Sequence, residues 1–178
     1  YEQEEMGEVI ARIRETFAWR KAALGPALAE VRAFEEAQGA ALPEAYTGVL
    51  LEVGNGFSWE GGHSFLSFPP ERTGRPVAPF PFEREWVWEA EAGEPDEAKM
   101  RPVLDGNLEL IDIGCGQTFC LIVTGPCRGE IWHFTDVGIQ PCCRRQDFLG
   151  WLEKWLDEGD DADCFAEYSY IVNAVEKE

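Results

Sequence analysis

The sequence predicts an α+β protein: one domain in which a curved, mainly antiparallel sheet is flanked by N-terminal and C-terminal helices. Three observations carry this. Apolar residues recur at helical spacing near both ends of the chain. Between them lie consecutive strand-like runs joined by short turns, an order that favours α+β over α/β. The 178 residues are enough for one domain with a sizeable core and too few for two ordinary ones.

Met6, Val9, Ile10, Ile13 and Phe17 form the first stripe, with Glu2, Glu4, Glu5, Glu8 and Glu15 largely off it. A second helix is expected to open at Pro26, to place Leu28, Val31 and Phe34 on one face, and to end at Gly39. A third begins near Pro43. Its Tyr46, Val49, Leu50 and Val53 follow the i, i+3, i+4, i+7 pattern of a buried face. Gly54-Asn55-Gly56 then suits a stop in the left-handed region.

Positions 57–107 read less clearly. A short strand fits 63–68, after which Pro69, Pro70, Pro76, Pro79 and Pro81 punctuate the chain. So long an irregular stretch inside one domain is unusual and often functional. Within it, the run from Glu83 to Glu91 mixes acids with two tryptophans. Strand alternation places Trp86 and Trp88 on one face; a short helix fits nearly as well.

The second half reads as sheet. Leu108 to Ile113 is a strand whose alternation breaks at Leu110-Ile111, pointing to a bulge or to burial on both faces. Thr118 to Thr124 is apolar on both faces and reads as central, and Glu130 to Phe134 follows. Short turns at 114–117 and 125–129 make the three an antiparallel meander. Phe148, Trp151, Leu152 and Trp155 mark a closing helix, broken by the acidic run Asp157, Glu158, Asp160, Asp161 and Asp163. Phe165, Tyr168, Ile171, Val172 and Val175 form a further stripe, so 158–178 is expected to be a helical extension of a single 1–178 domain.

Fifteen Lys plus Arg against 34 Asp plus Glu leave a net charge of −19. A field of that sign repels phosphate, which argues against nucleic acid and anionic membrane as partners. It attracts a basic partner and speeds encounter with it, and it also serves solubility. No apolar run approaches the ~20 residues of a membrane span. No charged-then-apolar signal segment opens the residues that start at Tyr1. The six cysteines lack the placement of a stapled secreted domain, so reduced thiols and a cytoplasmic location are expected.

Chemistry-bearing motifs are scarce. His63 and His133 have no i, i+4 partner, and Cys142-Cys143 is vicinal rather than C-x-x-C, so no metal is expected. There is no G-x-S-x-G elbow, no phosphate loop, and no cofactor signature. Cys115, between two glycines, is the one nucleophile candidate, with His63 or His133 as base; the preferred reading is a hairpin turn whose glycines serve the backbone. What remains is a recognition surface. Trp59, Trp86 and Trp88 lie in the irregular region with Glu60, Glu83, Glu85, Glu89 and Glu91 close by. Aromatics amid acids suit an interface that anchors apolar contacts and complements a basic partner. The competing reading is that these tryptophans plug the core.

Leu42-Pro43-Glu44-Ala45-Tyr46 followed by Leu50-Leu51-Glu52-Val53-Gly54-Asn55-Gly56 resembles the helix and Asn-Gly signature of the SUKH superfamily, the homology domain shared with yeast cell-wall-synthesis regulators. The stretches 110–114, 119–125 and 129–132 resemble that family's sheet, and 148–152 its closing helix. The resemblance spans about 23–157 and leaves out the region around Trp86 and the tail. It implies an α+β domain without shared catalytic residues, and in bacteria commonly an immunity protein. Such a protein binds and neutralises a cognate toxin, often a nuclease or deaminase. The alternatives are a regulatory or scaffolding adaptor of the same fold and, from another class, a thiol enzyme using Cys115.

Overall fold

The computed structural model describes residues 1–18, 25–56, 65, 68–70, 74–90, 97–142 and 147–158. Trp59, Glu60, His63, Glu91 and the expected extension beyond Glu158 lie outside the described residues. The elements run α1 (Met6–Phe17), α2 (Leu28–Gln38), α3 (Glu44–Glu52), β1 (Trp86–Val87), α4 (Glu97–Met100), β2 (Asn107–Gly114), β3 (Gln117–Ile122), β4 (Ile131–Phe134), β5 (Gly138–Pro141) and α5 (Phe148–Glu158). The strands form one antiparallel sheet in the order β1-β5-β4-β3-β2. The α+β class and the flanking helices therefore stand as the sequence predicts. Among the described residues no helix is long and apolar enough to cross a membrane.

Alternation along the sheet divides the interior into two cores. Phe119, Leu121, Val123 and Ile131 face the helices, where they meet Val9, Ile13, Tyr46, Leu50, Phe148, Trp151 and Trp155. Cys120, Ile122, Trp132, Phe134 and Ile139 face the other way, against Phe80, Trp88 and Val103. In β2 the register passes from Glu109↔Cys120 to Ile111↔Phe119, so Leu110 is the extra residue of a bulge. The bulge turns both Leu110 and Ile111 into the helix-side core, which resolves the alternatives left by the sequence.

The helices follow their stripes, with one correction. In α2, Val31 is fully buried and Phe34 packs on the core, but Leu28 is 50% exposed. Positions i, i+3 and i+6 drift around a helix by about 60° at each step, which leaves Leu28 at the margin of the buried face. Glu30 reaches back to the Ala27 N–H (2.6 Å) to start α2, and Gly39 closes it at φ 67. Helix α1 meets α3 across Gly48, where an added Cβ would lie 2.6 Å from Ile10 Cδ1.

Asn55 is not itself the left-handed stop; Gly56 takes φ 70. Instead the Asn55 amide accepts the Phe68 N–H (2.6 Å) and donates to the Phe68 carbonyl (3.0 Å). A side chain thus supplies both hydrogen bonds a neighbouring strand would have given. From the expected 63–68 strand, Phe65 makes an antiparallel bridge to Ile111. Strand β5 and the short helical turns at 97–104 are absent from the sequence reading. Gly138 and Pro141 bracket β5 and read as breakers.

Replacing Asn55 with Ala strands both Phe68 backbone groups. Urea unfolding should show a loss of about 1–3 kcal/mol, with the m-value unchanged.

Candidate functional site

The acidic, Trp-containing run lies on a segment that crosses the sheet face away from the main helices. Its fastening starts at Arg75, whose N–H meets the Leu104 carbonyl (2.7 Å) and whose guanidinium pairs with Asp105 (2.6 Å). The Thr124 hydroxyl lies between the carbonyls of Pro76 (2.6 Å) and Ala78 (3.0 Å). The Phe80 N–H then donates to the Thr124 carbonyl (3.1 Å). Phe80 is fully buried, edge-on to Trp132 at 4.9 Å and to Phe82 at 5.4 Å. Gly106 (φ 63) and Gly125 (φ 100) flank its backbone, and a Cβ on either would come within 2.4 Å of it. The Cys127 thiol donates to the Phe82 carbonyl at 3.3 Å.

Past Phe82 the chain becomes β1. Trp86 pairs with Ile139 and Val87 with Gly138, which makes β1 the outer strand of the sheet. Trp86 is half-buried and stacks on Phe82 (5.4 Å, 13°), with Trp88 edge-on at 5.3 Å. A 3-10 turn at 88–90 follows, so the strand and short-helix readings each hold for part of the run. Glu83, Glu85 and Glu89 are exposed around this aromatic ledge.

Trp88 lies in the core. It is 7% exposed, and its indole N–H donates to the Asp136 carbonyl at 2.7 Å. The turn that offers this carbonyl is stitched by Thr135. Its hydroxyl donates to the Gly138 carbonyl (2.9 Å) and accepts the Val137 and Gly138 N–H groups (3.1 and 3.0 Å). The same turn accepts the Glu89 N–H at Val137 (3.3 Å). It therefore brings Asp136, an exposed carboxylate that the sequence reading missed, to the acidic edge. Phe80 and Phe82 were also missed. Their signal is an aromatic on each side of Pro81, the spacing that buries one ring and half-buries the next.

Cys115 and Gly116 form the two-residue β2–β3 turn at φ 54 and 74, a primed hairpin in which Cys115 is exposed. Cys120, Cys127 and Cys142 are buried. Burial pushes the Cys120 thiol up to about 12, which suppresses the thiolate. His133 is 2% exposed, its Nε2 3.1 Å from Gln117 Oε1 and its ring 5.3 Å from Phe119. Among the described residues no group of His, Cys, Asp and Glu is placed to hold a metal ion.

Burial lowers the His133 pKa from 6.5 to about 4. As pH falls below 6.5 the unfolded chain takes up a proton that the folded chain refuses until about 4. Stability therefore drops with falling pH across that window, by up to about 1.4 kcal/mol per pH unit. His133→Gln should flatten the curve between pH 5 and 7; unfolding midpoints against pH check this.

Comparison of the chain with protein-family models, with curated proteins and with solved structures returns no match.

Proposed function

We propose that this chain is a non-catalytic binding protein that neutralises a protein partner bearing a basic face, in the manner of a bacterial immunity protein that occludes a toxin. The observation that carries the reading is the acidic edge. Glu83, Glu85, Glu89 and Asp136 are exposed around the half-buried Trp86 on the outer strand of the sheet. A rim of carboxylates steers a cationic surface by long-range attraction, and a fixed aromatic ledge supplies apolar contact at small entropic cost. Phe82 and Trp88 hold that ledge before a partner arrives, which limits the ordering cost of association. The net charge of −19 acts in the same direction. The resemblance of residues 42–56 and 110–152 to the SUKH superfamily supports a toxin-directed version of this function. A partner of nuclease or deaminase type carries the required positive surface, since such enzymes must themselves attract phosphate. The proposed setting is the cytoplasm, without a cofactor.

Reversing Glu83, Glu85 and Glu89 to Lys together tests the edge. Against the partner recovered by co-purification from the native host, the association rate at low salt should fall about ten- to a hundredfold. Its salt dependence should flatten, while the thermal midpoint of the free protein stays put. Unchanged kinetics at every salt concentration would place recognition on another surface.

A further inference from the structure

Helices α2 and α3, with Arg128 of the β3–β4 turn, line a groove of about 340 Å³. Leu28 and Leu51 line it and are 50% and 40% exposed. These are two of the few large apolar side chains left open to solvent among the described residues. Arg32, Glu35, Glu44, Thr47 and Arg128 supply its polar lining.

The corner between the two helices is built from both sides. Glu35, only 9% exposed, accepts the Leu42 N–H (2.8 Å) and holds Arg32 by an ion pair (2.7 Å). Arg128 reaches in from the β3–β4 turn and donates to the carbonyls of Leu42 (2.8 Å) and Ala41 (3.3 Å). Those acceptors are neutral. Arg32 thus has its carboxylate, whereas Arg128 has no carboxylate partner among the described residues. In a chain with 34 acids and 15 bases, a guanidinium held at a groove by neutral oxygens alone keeps its charge available. The one other carboxylate of the groove, Glu44, accepts the Gln3 side-chain N–H at 3.1 Å.

We propose that this groove is a binding site for a segment of a partner polypeptide that sets an aliphatic side chain next to a carboxylate. The carboxylate pairs with Arg128, and the aliphatic group covers Leu28 and Leu51. The volume sits at the low end of the roughly 300–1,000 Å³ of ligand pockets, so it takes a few side chains rather than a folded surface. The overall negative field slows an acidic segment at long range, so the contact relies on short-range guanidinium–carboxylate pairing at a corner already rigid. The site is independent of the acidic edge and stands or falls separately from it.

The test uses the full chain and two short capped peptides, one with an aspartate between two leucines and its asparagine twin. Nuclear magnetic resonance titration should move the amide signals of Leu28, Thr47, Leu51 and Arg128, with the aspartate peptide bound about fivefold more tightly. Arg128→Gln should erase that preference. Because this change also frees the Ala41 and Leu42 carbonyls, Leu51→Asp serves as a second variant that leaves the corner's hydrogen bonds in place. It should abolish binding of both peptides, while Leu104→Asp, at an exposed site outside the groove lining, should not. Equal affinity for the two peptides, a preference that survives Arg128→Gln, or no shift up to millimolar peptide would each overturn the proposal. So would concentration-dependent shifts of the same signals without peptide, which would assign the groove to a second copy of the chain.

Discussion

Burial of the Phe80 ring against Trp132 is the contact on which the far side of this protein depends. The sheet has an apolar face on each side, and the main helices cover only one of them. Phe80 is the residue that brings covering chain to the other. Its backbone fits only because Gly106 and Gly125 lack side chains where it passes, and both hold a left-handed conformation there. Everything downstream follows from that placement. Phe82 lies against Phe80, Trp86 against Phe82, and Trp88 against Trp86. The acidic edge thus gathers around Trp86, which is held between Phe82 and the buried Trp88 in an aromatic series that begins in the core.

The two cores differ in how they are made. The helix side is assembled from regular amphipathic elements, with Tyr46 on Phe148 and Phe119 on Trp151. The other side is assembled from irregular chain, so its backbone groups need individual partners. Thr124, Thr135 and Asn107 provide several of them: Thr124 serves Pro76 and Ala78, and the Asn107 amide donates to the carbonyls of Val103 and Asp105, each at 2.9 Å. Small polar side chains do here what strand ladders do elsewhere.

That difference also sets what the sequence makes legible. Helical stripes and consecutive apolar strands announce α1, α3, α5, β2, β3 and β4, because periodicity records which face is buried. The bulge at Leu110 leaves its mark as a break in that periodicity. The covering segment has no period to read. Its position rests on contacts distant in sequence, such as Phe80 with Trp132 and Thr124 with Pro76, and on hydrogen bonds from side chains that look like ordinary turn residues. The candidate site was legible as a composition, acids beside tryptophans, but not as a geometry. Nothing local separates Trp86, which is half-buried, from Trp88, whose indole is spent on the β4–β5 turn. Asp136 joins the edge only through that turn, some fifty positions away in the chain.

The brevity of β1 carries a consequence of its own. A sheet that ends in an open strand invites another chain to extend it, and long flat edges are where folded proteins aggregate. Here the terminal strand has two residues and gives way at once to a 3-10 turn. Exposed carboxylates stand before and after it, at Glu85 and Glu89. Two copies meeting edge to edge would align like charges over a ladder too short to compensate for them. The carboxylates that would draw in the cationic partner of the proposed function are the same ones that oppose edge-to-edge pairing of two copies.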